Sequence, residues 1–296
     1  VTNIGSFTTA VFTSAGANTA IGIQLFCLGT TLRVRDMGGV VKRGGVLLIS
    51  KFVIGAAIGI VVGKVFGPTG VLGLSSLAII SAVTNSNGSI YLALMNSYGD
   101  TVDQAAMPLL AINDGPMLTM IAMGAGGLAD IPFMALVAAI GPILVGMILG
   151  NIDKDLSDFL APAGSILLPF VGFCLGSGMN LTNIAKGGVQ GILLGLITCL
   201  IGGAFIMLCD KFISRRPGYA GWAVATTAGN AVAVPAVIAA ADATWAPWAD
   251  IATSQVAASA ILTAILVPII TSWWAKKYGC PKFPKDEAQA ALFAKD

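Results

Sequence analysis

Apolar runs of about 20 residues recur along the whole chain, separated by short polar stretches, and each is long enough to cross a bilayer as a helix. Nine such segments are predicted, at 8–29, 44–63, 71–96, 105–125, 131–150, 160–178, 188–209, 219–241 and 251–274. A polar tail, 278–296, follows the last of them. Strands are disfavoured, because the runs far exceed the roughly 9–11 alternating residues of a barrel strand. No basic region precedes the first run, so the pattern does not read as a secretory signal.

Composition turns this pattern into a class. Of 296 residues, 56% are hydrophobic and 10% are charged, against roughly 25% charged in a soluble domain. Thirty charged side chains cannot cover a water-soluble globule of this size. A net charge of +2 leaves no basic surface for nucleic acid. The reading is an all-α integral membrane protein, with the lipid bilayer as its solvent.

Charge placement sets the orientation. With nine crossings, Arg33, Arg35, Lys42, Arg43, Lys154, Lys211, Arg215, Arg216, Lys276, Lys277, Lys282, Lys285 and Lys295 fall on one side. Lys64 and Lys186 fall on the other, and Lys51 lies inside a span. Basic residues gather on the cytoplasmic side, which puts the C-terminus in the cytoplasm and Val1 outside. Trp245, Trp248, Trp273 and Trp274 lie at segment ends and read as interfacial anchors.

The two halves are related. Phe26-Cys27-Leu28-Gly29 recurs as Phe173-Cys174-Leu175-Gly176, and the same spacing pairs Gly44 with Gly191, Leu47 with Leu194 and Gly55 with Gly202. Farther on, Leu118-Thr119 pairs with Leu262-Thr263, and Thr84 with Thr227. The loop after Phe26 is basic and the one after Phe173 carries only Lys186, so the repeats are inverted, as in secondary transporters. This divides the chain into a first repeat, 1–130, a second, 131–277, and a cytoplasmic tail, 278–296. Segment 131–150 has no partner, since its mate would fall before Val1. The expectation is an inverted five-plus-five helix repeat whose first helix is missing here, leaving nine spans.

Broken helices survive in lipid only where they line protein or water. Two segments look broken at matching places. Thr84, Asn85, Ser86, Asn87, Gly88 and Ser89 interrupt one, and Thr226-Thr227-Ala228-Gly229-Asn230 the other. Half-helix ends present free N–H groups that suit a carboxylate. The plainer reading is loops between shorter segments.

Two ionisable side chains lie inside spans, and intramembrane charges are functional candidates by default. Asp114, beside Asn113, is the deep carboxyl, and the chain has no histidine. Desolvation disfavours a carboxylate, so Asp114 is the natural proton carrier; alternatively it is the N-cap of a half-helix begun by Pro116. Lys51 either neutralises a substrate carboxylate, pairs with Asp114 or snorkels to the cytoplasmic edge. Gln255 is expected to face the same central cavity. Asn18, Gln24, Ser254 and Ser259 read singly as helix–helix contacts. Five cysteines without C-x-x-C spacing give no metal or redox cofactor site.

Several strings together resemble the 2-keto-3-deoxygluconate permease family, within the bile-acid-type transporters. They are Phe26–Gly29 with its basic loop, Thr84 to Tyr91, Asp114 to Ile121, Ala228 to Pro235 and Leu266 to Trp273. The resemblance implies proton-coupled uptake of 2-keto-3-deoxygluconate, a six-carbon sugar acid, across a bacterial inner membrane. It also implies a core domain containing two crossing discontinuous helices, and a panel domain. On this reading Thr84, Asn85, Ser86, Asn87, Gly88, Ser89, Gly229, Asn230 and Gln255 bind substrate. Asp114 with Asn113 couples the proton, and no cofactor beyond H+ is required. Sodium is the alternative coupling ion, since related carriers use it and hard oxygen ligands are present. A channel lacks a visible filter or charged ring. An intramembrane enzyme lacks HExxH, histidine and a second deep aspartate.

Overall fold

A computed structural model describes residues 6–32, 37–177 and 181–293. Arg33, Arg35 and Lys295, counted above for orientation, lie outside the described residues, as do the side chains of Asn18 and Lys186.

The described residues are helical, apart from turns and two isolated bridges, Val71 with Leu74 and Cys280 with Phe283. In chain order the helices are α1 (Ser6–Phe12), α2 (Ser14–Thr30), α3 (Met37–Phe66), α4 (Ser76–Thr84), α5 (Gly88–Tyr98), α6 (Thr101–Ala105), α7 (Met107–Leu110), α8 (Pro116–Ala125) and α9 (Phe133–Ile152). They continue as α10 (Lys154–Leu160), α11 (Ala163–Ile166), α12 (Leu168–Ser177), α13 (Leu181–Leu196), α14 (Gly203–Phe212), α15 (Tyr219–Ala223), α16 (Val234–Ala241), α17 (Ala246–Tyr278) and α18 (Glu287–Phe293). Helix α18 gives the polar tail a short element that its composition did not suggest.

Among the described residues, five stretches are long and apolar enough to span a membrane: Val41–Phe66, Ser76–Tyr98, Phe133–Ile152, Gly187–Phe212 and Ala243–Tyr278. They match five of the nine predicted segments. At the other four the chain is helical but in shorter pieces, because Gly, Pro or polar residues interrupt the hydrogen-bond ladder. Apolar side chains turn outward along the long helices: Ile261, Ile265 and Ile269 form an exposed stripe on α17. Such a stripe needs lipid rather than water around it.

Packing sorts the helices into two groups. In the smaller, α2 lies against α9 and α12, with α1, α10 and α11 beside them. In the larger, α13 packs along α17, α3 along α4, and α14 to α16 close around them. Helices α8 with α9, and α12 with the 230–233 turn, link the groups.

Glycine permits the closest approaches. A Cβ on Gly29 would collide with the Ile143 carbonyl, and one on Gly146 with the Phe26 carbonyl, so the α2–α9 backbones nearly touch. On α3, a Cβ at Gly55 would lie 2.6 Å from the Thr84 amide nitrogen. Small residues at helix interfaces are the usual means of dense packing in lipid, where burial of apolar surface gives no drive for association.

Two of the tryptophans spend their indole N–H inside the fold. Trp245 is buried and donates from Nε1 to the Leu128 carbonyl at 3.2 Å. Trp274 donates to the Pro217 carbonyl at 2.7 Å. Both pin connecting segments through the indole N–H, and Trp273 alone of the three is exposed.

Candidate functional site

The predicted interruption at 84–89 is real: α4 stops at Thr84 and α5 starts at Gly88. Its polar side chains are spent on bracing it. The Thr84 hydroxyl donates to Ile80 O at 2.6 Å and lies 2.8 Å from Thr119 Oγ1. Asn85 Nδ2 donates to Ser81 O at 2.8 Å and to Thr119 Oγ1 at 3.0 Å. Asn85 Oδ1 accepts the Gly115 N–H at 3.0 Å. The Ser86 hydroxyl donates to Asn113 Oδ1 at 2.8 Å. Asn87 caps α5, its Oδ1 accepting from the Ile90 amide at 3.0 Å.

The second interruption lies between α15 and the 3-10 turn 230–233 that leads into α16. Here backbone atoms find side chains of neighbouring helices. The Thr227 N–H donates to Thr263 Oγ1 at 2.9 Å, and its hydroxyl is 2.8 Å from Ser259 Oγ. The two breaks meet where the Asn87 N–H donates to Thr226 Oγ1 at 2.8 Å. Lys51, fully buried, donates from Nζ to the Thr226 carbonyl at 2.9 Å.

Beside this meeting point is a cavity of about 440 Å³. The larger helix group contributes Asn87, Ser89, Asp114, Gly229 and Asn230 to its wall; the smaller contributes Gln24, Leu28, Thr31 and Ala161. The Asn230 side chain stands beside the Asp114 carboxyl. Asp114 Oδ1 and Asn230 Oδ1 are nevertheless buried acceptors without a partner. Unpaired buried acceptors are costly, and both belong to residues of the cavity wall.

Other expected site residues stand elsewhere. Thr84, Asn85, Ser86 and Asn113 lie behind the cavity wall as its support, and Gly88 is buried at the start of α5. Gln255 does not face this cavity. Its Nε2 donates to Gly73 O at 2.7 Å and its Oε1 accepts the Ser75 N–H at 3.1 Å, so it holds the turn entering α4. Asp114 is not the N-cap of α8: Gly115 occupies that position, Pro116 follows, and no side chain caps. Lys51 forms no ion pair with Asp114; among the described residues the ion pairs all belong to Arg43 and Arg216.

That ionic cluster was not anticipated. Arg43 bonds Asp103 at 2.6 Å and also pairs with Asp210, while Arg216 reaches Asp100 at 2.6 Å and Asp103 at 3.3 Å. Tyr219 donates to Asp103 Oδ2 at 2.6 Å and Tyr91 to the Asp103 carbonyl at 2.9 Å. Burial alone would raise the Asp103 carboxyl, yet the guanidiniums of Arg43 and Arg216 hold it below the usual range. The sequence signal was available: Asp103 and Asp210 stand at segment ends on the same predicted side of the membrane as Arg43 and Arg216, which counting alone assigned to open loops.

Residues 1–280 match the family described as KdgT, 2-keto-3-deoxygluconate permease. This chain belongs to that family. It is 47% identical over 274 residues to 2-keto-3-deoxygluconate permease 1 of Salmonella typhimurium, covering 93% of this chain and 86% of that protein. It is 38% identical over 278 residues to the Bacillus subtilis 2-keto-3-deoxygluconate permease, covering 92% and 84% respectively. The Xanthomonas euvesicatoria permease is 37% identical over 279 residues, 93% of this chain and 87% of its own. Membership in a permease family makes the chain a multi-pass membrane transporter and not an enzyme.

Proposed function

We propose that this permease takes up 2-keto-3-deoxygluconate by proton symport, with Asp114 as the proton carrier. The observation that carries the reading is Asp114, a carboxyl residue with one unpartnered oxygen, lining a cavity between two separately packed helix groups. The sugar acid sits there, its hydroxyls read by Asn87, Ser89 and Asn230. Proton binding to Asp114 favours the loaded carrier, and the smaller group, as panel, rocks against the larger, as core. The names of the Salmonella and Bacillus relatives support the substrate.

Equivalent contacts support an inverted repeat. Thr84 meets Thr119 in the first half, and Thr227 meets Thr263 in the second; these are the residues that internal sequence similarity pairs. Leu28 and Thr31 bring the cavity to the end of α2 that precedes the basic loop. With that side cytoplasmic, the cavity faces inward, the C-terminus is cytoplasmic and the host is a bacterial inner membrane.

Uptake of labelled 2-keto-3-deoxygluconate into proteoliposomes holding the full-length permease, under an inward proton gradient, tests this. Asp114→Asn is expected to lose gradient-driven accumulation by about 10²-fold or more, the lower range for removing a proton-transfer group. Unchanged accumulation in the mutant removes Asp114 from coupling, and no uptake by wild type removes the substrate. Sodium coupling is the second reading, favoured by the two free acceptors on Asp114 and Asn230. It predicts uptake driven by a sodium gradient at constant pH.

A further inference from the structure

Lys51 is a fully buried amine with no carboxylate partner among the described ion pairs. Its ammonium has three donors, and its hydrogen bond runs to a backbone carbonyl, Thr226 O, at 2.9 Å. That carbonyl belongs to the unwound stretch between α15 and the 230–233 turn, so no helical N–H claims it. Two further features lie in a turn packed on the same helix. The turn Ile197–Gly202 is π-helical and packs on α3, and its buried Cys199 thiol stands close enough to interact with the ammonium. In the same turn Thr198 Oγ1 is buried without a partner. Isolated π turns often mark functional sites.

An oxygen atom of unwound backbone with no anion beside it is the kind of environment in which transporter breaks hold a monovalent cation. We propose that the Lys51 ammonium is a tethered occupant of a monovalent-cation position built on the Thr226 carbonyl, so that shortening this side chain opens the position to a free small cation. The tether makes occupancy permanent, and it fixes the second break where the Asn87 N–H reaches Thr226 Oγ1. Snorkelling is not its role, since Lys51 is 0% exposed. Lys51 is therefore a positioning residue: it acts on substrate through the shape of the crossing.

The test is chemical rescue, read by thermal unfolding of the full-length permease in detergent and by proteoliposome uptake. Lys51→Ala is expected to lower the melting midpoint by about 5 °C or more, within the range of one lost buried interaction. Methylammonium, ammonium or sodium chloride at about 50 mM should restore part of the loss through binding to the folded state, while choline chloride at the same ionic strength should not. Wild type should be indifferent to all four salts. Lys51→Met, one heavy atom shorter and uncharged, should melt low and stay low in every salt. A Lys51→Ala protein that no small cation raises above its choline value overturns the proposal, and so does a Lys51→Met protein with wild-type midpoint and uptake. If Lys51→Ala folds in no salt, Lys51→Met and Lys51→Arg decide: a stable Arg variant beside an unstable Met one supports the proposal, and a stable Met variant or failure of both overturns it. Melting needs no substrate, so failure here leaves the transport reading intact. Failure of wild-type uptake likewise leaves the cation position intact.

Discussion

The two breaks solve one problem by opposite means. At the first, three residues leave the helical ladder, and side chains from the break itself and from α8 close around them: Asn85 alone joins Ser81, Thr119 and Gly115. Asn87 then caps the next helix. At the second, the unwound stretch is Ala, Thr and Gly, and its helical restart has no side-chain cap. What holds it comes from elsewhere, from Lys51 on α3 and from Ser259 and Thr263 on α17. The first break is self-braced; the second is braced from outside and turns Asn230 toward the cavity. A polar break is thus not a binding site merely because it is polar.

The supporting helices differ in the same sense. The stretch after the first break is cut into α6, α7, a 3-10 turn and α8, whereas α17, after the second, runs unbroken for 33 residues. The cut places Asp114 at the cavity; in α17 the ladder continues and Gln255 is turned to the α4 entrance instead.

The largest expected effect tests whether the two breaks are tied at their outer ends. Tyr91 of α5 and Tyr219 of α15 both bond Asp103. Arg43→Met removes one partner of that buried cluster and should cost about 3–5 kcal/mol, the usual cost of stranding a buried charge. Thermal unfolding measures the loss, and hydrogen exchange should rise in both α5 and α15; a rise in one alone would separate the breaks. The same cluster gives an acid limit. Because the folded Asp103 carboxyl titrates below its unfolded value, its contribution is complete above about pH 4. It is lost as pH falls through the lower folded value, and a melting profile flat across that range would contradict the pairing.

Next in size is Asn85→Ala, which strands the buried Gly115 N–H and should cost about 1–3 kcal/mol of stability. Gly55→Ala drives a methyl into the Thr84 backbone and should cost about 1–3 kcal/mol by overpacking. Smallest in stability is Asn230→Ala, expected within about 0.5 kcal/mol of wild type, with its effect instead on uptake as a raised KM. If Asn230→Ala destabilised the fold as much as Asn85→Ala, the contrast between self-braced and externally braced breaks would fail.

Much of the architecture is visible in the chain because lipid imposes a simple rule: backbone polar groups must pair within the segment. Long apolar runs are therefore helices, as in α3, α9 and α17, and clustered small polar residues such as Asn85 to Asn87 mark where the ladder stops. Asp114 stood out by the same rule, since a carboxyl deep in an apolar run needs a reason.

What sequence could not determine was which way each polar side chain turns. Gln255 and Asn230 are both amides in apolar segments, yet one grips a turn and the other borders the cavity. Arg43 and Arg216 look like loop charges by position, but tertiary packing buries them against Asp103 and Asp210. Lys51 has no sequence neighbour of opposite charge, and its partner is a carbonyl 175 residues away. Helix formation depends on bonds within a few residues. Side-chain partnership in a packed bundle depends on which helices lie adjacent, and that is decided only when glycine contacts such as Gly29 with Ile143 and Gly55 with Thr84 bring them together.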